Sequence, residues 1–462
     1  MGFLTKAVFI ALLGVGAWFT FGGSSPKPIP HLDPEAWWGP KDLQGKLDKS
    51  IRPFKVKFEE EMIKDLRYRL KNHRPFTPPL EGVAFEYGFN TNQIEGWLNY
   101  WAEKYNFTER ETFFNQFPHY KTYIQGLDMH FIRVTPKVSK DVKVIPLLML
   151  HGWGGSVREF YEAIPLLTQQ QTGYNFVFDL IVPSLPGFGF SQGSVRPGLG
   201  MPEAAVILKN LMNRLGYENF YVQGGDFGGA VAAVMATLYP DVMLGYHSNM
   251  LLSQHSTSIF RMFVGAYFPS LIVEPHLADR MYPLSKFFAY FIEELGYMHL
   301  HGTKPDTIGV PLTDSPAGFL AYMLEKFSVW TRTEFKHLPD GGLGLRFTKD
   351  QLLDNLMVYW STNSITTSIR FYAENLNFEK WAMGLDDIPT PVPTWALQAK
   401  HEMIYQPPAL LTPKFTNLVG TTILDDGGHF LAFELPKEFS ADVFNGFKKI
   451  REWRQKNGKI EL

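Results

Sequence analysis

Apolar and polar positions along this chain follow two alternating rhythms. Largely apolar runs at Val144–Leu150, Phe176–Pro183 and Val392–Leu397 read as strands, that at Phe176–Pro183 as a buried one, and Gln125–Val134 opens the sheet. Helical segments lie between and before them. Phe58–Leu70 begins rich in glutamate and closes with Arg67, Arg69 and, just beyond it, Lys71, the charge order that a helix dipole favours. Strands alternating with helices predict an α/β class with a mostly parallel sheet. From about Asn249 to Trp381 the pattern changes to a long insertion without clear strands. Phe260, Met262, Phe263, Phe268, Tyr282, Phe287, Phe288 and Phe291 punctuate it, a stripe that ordinary helix packing also produces.

One junction between these rhythms carries chemistry. Asn219–Val222 is a short apolar strand, Gln223-Gly224-Gly225-Asp226-Phe227-Gly228-Gly229 a glycine-crowded turn, and an Ala/Val-rich helix follows to Leu238. Strand, tight turn and helix make the elbow that presents the nucleophile of an α/β-hydrolase, with glycines admitting a strained residue at its tip. Serine there gives acyl transfer. Asp226 instead predicts attack on an sp³ carbon and an alkyl ester on the enzyme. A Gly/Asp cluster alone is as easily a plain turn, but its company is ordered. Val144–Leu150 runs into His151-Gly152-Trp153-Gly154-Gly155, Val392–Leu397 precedes a loop with Glu402, and Thr422–Leu424 leads into Asp425-Asp426-Gly427-Gly428-His429. Nucleophile, acid, histidine is the chain order this fold imposes. With a carboxylate nucleophile, His429 is free to activate water, oriented by Glu402.

The chain resembles the microsomal epoxide hydrolases, including the insect juvenile hormone branch, along nearly its whole length. The likeness extends beyond the triad to Ser50–Phe54, Arg74–Leu80, Gly126–Ile132, Gly296-Tyr297-Met298-His299, Thr303–Thr307 and Arg370-Phe371-Tyr372. It implies that Tyr297 and Tyr372 donate hydrogen bonds to the epoxide oxygen from a helical lid, and that the stripe above faces an apolar pocket. A phenol with pKa about 10 stays neutral until an alkoxide forms beside it. The fold further implies an oxyanion hole from the backbone N–H groups of Trp153 and Phe227. Two motifs depart from the family pattern. Gly154 stands where a proline is usual, with the expectation that the Trp153 N–H is less well aimed and that a Gly154→Pro reversion restores it. Phe227 and Gly229 stand in the elbow where tryptophan and serine are usual, so an indole donor is lost.

A length of 462 residues fits one catalytic domain with a lid. The expected division is a membrane anchor (1–25), a linker and helical strap (26–125), the first part of the core (126–250), the lid (251–380) and the second part of the core (381–462). The net charge of −2 leaves no basic footprint for nucleic acid, and the absence of cysteine excludes disulfides and thiolate metal sites. No phosphate-binding loop follows a strand, so no cofactor is indicated, and the 13 histidines are too scattered for a metal site.

Ala7–Gly22 is apolar apart from Thr20. Sixteen residues at about 1.5 Å each reach roughly 24 Å, short of a 30 Å hydrocarbon core unless the flanks help. An uncleaved anchor is the reading the family favours, a signal peptide the alternative. Flanking charge is balanced, so topology rests on the resemblance, which implies an endoplasmic reticulum membrane with the catalytic part cytosolic. The Asn106-Phe107-Thr108 sequon and the faintly retrieval-like Lys459–Leu462 gain meaning only in the lumen. Two rival functions remain at this stage. A haloalkane dehalogenase shares the Asp nucleophile but needs N–H donors for halide, which Phe227 and two lid tyrosines do not supply. A non-catalytic carrier of lipophilic ligands is supported only by Gly154 and Phe227.

Overall fold

The computed structural model describes residues 28–459, together with Gly14. Among them, nine strands form one sheet: β1 (Arg52–Phe54), β2 (His119–Ile124), β3 (Leu127–Val134), β4 (Lys143–Leu150), β5 (Phe176–Pro183), β6 (Phe220–Gly224), β7 (Met243–Ser248), β8 (Thr394–Gln398) and β9 (Leu418–Ile423). Their spatial order is β1-β2-β3-β5-β4-β6-β7-β8-β9. Pairing is antiparallel from β1 to β5 and parallel from β5 to β9.

The order reverses at β4. The chain leaves it for β5 on one side and later returns as β6 on the other, Leu148 pairing with both Ile181 and Val222. Such a switch point opens a crevice at the carboxyl ends of the strands. The loops after β4 and β6, which carry Trp153 and Asp226, therefore meet there. Helices cover both faces: Met201–Arg214 packs on the elbow helix Asp226–Leu238, and Pro436–Lys456 lies across β7, β8 and β9. This double cover explains why β5 and β6 are buried at every residue and are mostly apolar.

The sheet begins earlier than Gln125, since β1 and β2 precede it. β1 is only three residues long, and its Pro53 is tolerated because the strand is at the sheet edge. Residues before it run along the core. Trp38 donates its N–H to Gln125 O at 2.8 Å, and Leu32 packs beside Leu238, Leu385 and Ile388.

Between β7 and β8 the chain is helical. Within this insertion, Gly296–Thr303 and Ile365–Asn375 carry Tyr297 and Tyr372 and pack together. The aromatic stripe ahead of them does not wall the cavity that reaches Asp226. Met262 and Tyr282 join a separate cluster with Val273, Leu277 and Met281, while Phe263, Phe268 and Phe288 are exposed. Helical spacing alone cannot tell which side of an inserted helix faces the site. Residues 7–22 lie outside the described residues, and among the described residues no helix is long and apolar enough to cross a membrane.

Candidate active site

β6 ends at Gly224 and the elbow helix starts at Asp226, so a single residue, Gly225, makes the turn. Asp226 takes φ +49°, a left-handed conformation that costs a non-glycine residue about 1–3 kcal/mol and persists only where its surroundings enforce it. They do so by crowding. A Cβ on Gly228 would lie 2.1 Å from Leu150 O, so the first helical turn sits directly against the end of β4.

That closeness brings the loop after β4 over the carboxylate. Trp153 donates its backbone N–H to Asp226 Oδ1 at 2.8 Å, and the adjacent Phe227 N–H favours the charged form of this carboxylate. On the other side, His429 Nε2 lies 3.6 Å from Asp226 Oδ2, and its Nδ1 lies 2.8 Å from Glu402 Oε1. The loops after β8 and β9 are tied together by His401 N–H to Gly427 O (2.9 Å). Arg332 and Arg346 of the insertion clamp Asp426 at 2.7 and 2.6 Å, fixing the turn that carries His429.

The electrostatics follow from burial. Burial pushes the Asp226 carboxyl up, while His429 and the two N–H donors pull it back, leaving it above the ordinary carboxylate value. The unperturbed ionisation expected from sequence is therefore too simple: the carboxylate depends on its neighbours. Burial also opposes charge on His429, but Glu402 and then Asp226 outweigh it and raise the imidazole to about 9. The His429 imidazole, its charged form favoured, thus lies between the carboxyl groups of Asp226 and Glu402.

Tyr297 and Tyr372 close the far side. Their rings meet edge to face with centroids 5.9 Å apart, their hydroxyls influence each other's ionisation, and both feel the Asp226 charge. Burial, followed by these charges, holds both phenols well above the usual tyrosine value, so they remain proton donors at any physiological pH. The Tyr297 ring stacks on the Trp153 indole with centroids 5.5 Å apart. Phe227 packs edge-on against Tyr372 at 4.6 Å and Phe371 at 4.9 Å. Losing the indole at 227 thus leaves a packed wall.

A cavity of about 20 Å³ lies beside Asp226, His429, Glu159 and Asn249, large enough for about one water. A second, of about 610 Å³, reaches Asp226 along Ala230 and Ala233 and opens past Met250, Leu252, Phe378 and Trp381. Its size and apolar lining suit a small lipophilic molecule. Glu159 escapes sequence reasoning. It is 9% exposed, and burial, with Asp226 adding to it against His429, pushes its carboxyl up to about 8. Its signal in the sequence is only an acidic residue between Val157 and Phe160, both buried.

The expectation about Gly154 is overturned. Gly154 adopts φ +85°, and the Trp153 N–H is well aimed without a proline. Proline is locked near φ −65°, and a Cβ here would also meet Phe430 at 3.2 Å and Trp330 at 3.3 Å. Gly154→Pro is therefore expected to damage the site. Misaiming one such donor costs about 10²–10³-fold in the step it serves. Single-turnover ester hydrolysis measures the loss, and an unchanged or faster rate would show that the loop tolerates φ near −65°.

A strained carboxylate at a strand–helix elbow, with two backbone donors and an acid-oriented histidine, defines an α/β-hydrolase built around aspartate. Comparisons with known proteins agree. The chain matches the family described as epoxide hydrolase N terminus over residues 51–160 and that described as alpha/beta hydrolase fold over residues 145–295. It is 58% identical over 439 residues to a juvenile hormone epoxide hydrolase of Bombyx mori, covering 95% of each chain. To epoxide hydrolase 1 of Oryctolagus cuniculus it is 40% identical, covering 95% of this chain and 98% of the other. The crystal structure of the juvenile hormone epoxide hydrolase from the silkworm Bombyx mori superposes with a TM-score of 0.91 at 57% identity, covering 92% of this chain and 100% of that one. The chain belongs to the epoxide hydrolase family and is a hydrolase of that class.

Proposed function

We propose that the protein hydrolyses lipophilic epoxides to vicinal diols through an alkyl ester on Asp226. Asp226 Oδ1 is engaged by the Trp153 N–H, so Oδ2 is the oxygen that attacks an epoxide carbon. The carbon–oxygen bond of the ring breaks, and Tyr297 and Tyr372 supply hydrogen bonds and a proton to the leaving oxygen. The new ester keeps Oδ1 as its carbonyl oxygen, already in the hole formed by the Trp153 and Phe227 N–H groups. Water in the small cavity then attacks the ester carbon and the neutral form of His429 takes its proton. The tetrahedral oxyanion collapses, His429 passes that proton to the departing alkoxide to release the diol, and the carboxyl proton left on Asp226 returns to the tyrosinate.

The observation that carries this reading is a carboxylate held by the Trp153 N–H and flanked by His429, with two protonated phenols close enough to feel its charge. It is tested by a single turnover in ¹⁸O-water with cis-stilbene oxide. The label is expected in Asp226 and not in the first diol released. Label in the first diol would mean that water opened the ring directly.

The apolar cavity and the 58% identity to a juvenile hormone epoxide hydrolase favour an epoxide of that terpenoid type as substrate. Competition between juvenile hormone and cis-stilbene oxide decides between a dedicated and a general enzyme. Residues 7–22 are read as an anchor in the endoplasmic reticulum membrane, with the helical insertion acting as the lid and the catalytic part cytosolic. Two donors share the leaving oxygen, so Tyr297→Phe and Tyr372→Phe are each expected to slow alkylation by about 10²-fold or less, and the double variant by far more. Rapid-quench mass spectrometry of the Asp226 peptide reads this. Wild-type alkylation rates in both single variants would remove the tyrosines from the mechanism.

A further inference from the structure

Lys326 is the buried cation nearest the lid tyrosine, and the mechanism above gives it no task. It lies near the end of the helix Pro316–Val329 and is only 7% exposed, a rare state for lysine. Its Nζ stands 4.8 Å from the centroid of the Tyr297 ring, which also stacks on the Trp153 indole. Trp330 is a second aromatic neighbour at 5.9 Å. The partner that balances the charge is Glu325, at 2.6 Å on the adjacent residue. The neighbouring His301 ring, packed edge-on against Tyr297 at 5.3 Å, is held neutral by burial and by Lys326 itself, its value lowered to about 3.

We infer that Lys326 is a positioning residue for Tyr297: its ammonium, held over the ring, stabilises the phenolate character that Tyr297 acquires as it gives its proton to the opening epoxide. The inference rests on Tyr297 acting as that donor. A cation favours the face of an aromatic ring before any proton moves. Once negative charge spreads from the phenol oxygen into the ring, the same cation gains a full Coulombic partner at fixed distance. At an effective dielectric near 20 and about 5–6 Å, one charge alters proton affinity by about 100-fold. Partial transfer in the transition state and the opposing Glu325 reduce this to about 10-fold. Proton balance is simple: the Tyr297 proton ends on the former epoxide oxygen, and the bond broken is that oxygen's bond to the attacked carbon. Lys326 exchanges nothing.

The two partners of the ion pair should then act in opposite directions, which a merely structural pair would not do. Lys326→Met is expected to slow single-turnover alkylation about 10-fold and to leave hydrolysis of the preformed ester unchanged. Lys326→Arg should recover most of the rate. Glu325→Gln, which frees the cation from its counter-charge, should leave alkylation as fast as wild type or faster. If Lys326→Met does not fold, the doubly neutral Glu325→Gln/Lys326→Met replaces it with the same expectation. In a Tyr297→Phe background the Lys326→Met effect should vanish, whereas in Tyr372→Phe it should persist. Equal slowing by Glu325→Gln and Lys326→Met, or an undiminished effect without the Tyr297 hydroxyl, would overturn the inference. If Tyr297→Phe itself leaves alkylation at the wild-type rate, the donor role of Tyr297 falls and the inference falls with it.

Discussion

Asp226→Ala is expected to abolish diol formation, with a loss of about 10⁴-fold or more, the scale seen when a covalent nucleophile is removed. No other group can take its place. The nearest spare carboxyl, Glu159, accepts a backbone N–H from Gly152 and is raised by burial to about 8, so at neutral pH it is mostly a neutral acid and a poor nucleophile. The wild-type enzyme quenched early should carry the mass of one substrate on the peptide containing Asp226, and the variant none. Alanine is strained at φ +49°, so Asp226→Asn serves as a control, because asparagine visits this region more easily. Residual turnover in both variants, without an adduct in wild type, would mean that water attacks the epoxide directly.

His429→Gln should separate the two halves of the reaction. Alkylation needs Asp226 and the phenols and should survive. Ester hydrolysis loses its base and should fall by about 10²–10⁴-fold, the usual range for general base catalysis. The result is a stoichiometric burst followed by a stalled adduct. The wild-type pH profile adds a signed expectation. Glu402, with Asp226 second, lifts the imidazole to about 9 against burial, and alkylation turns Asp226 into a neutral ester. With that charge gone, the histidine pKa falls, and water activation should increase with pH through an apparent value below 9. A hydrolysis step that titrates at or above the free-enzyme value would contradict this coupling. Loss of alkylation in a folded His429→Gln protein would contradict the assigned role altogether.

The core was legible because its signals are local. Buried parallel strands are mostly apolar along their length, and an elbow needs glycines within a few positions of its tip, so β4, β5, β6 and the placing of Asp226 follow from sequence patterns. What was illegible depends on partners distant in the chain. β2 alternates incompletely between buried and half-exposed positions, and β1 has only three residues, so both were absorbed into the helical strap. Gly154 looked like a loss because the family pattern has proline there, whereas its φ of +85° is visible only in the folded loop. Lys326 sits in a helix whose pattern gives no hint that a charge is buried. Only the packing of Tyr297 from another helix, beside Trp330 one turn further on at the end of the same helix, makes it so.

The wide separation of the site along the chain also governs how it is assembled. Asp226 follows β6, whereas Glu402 and His429 follow β8 and β9, strands that join the sheet only after the long helical excursion beyond β7. A nascent or partly refolded chain that has formed β1 to β7 therefore holds its elbow without a base. It also exposes β7, a strand buried at every residue in the finished protein, as a free parallel edge that is liable to pair with another molecule. Parallel partners brought from far along the chain are the slowest to dock. Aggregation during synthesis should thus depend most on how quickly residues 394–423 reach that edge, and a separately supplied segment carrying β8, β9 and the C-terminal helix is the natural piece with which to rescue a truncated chain.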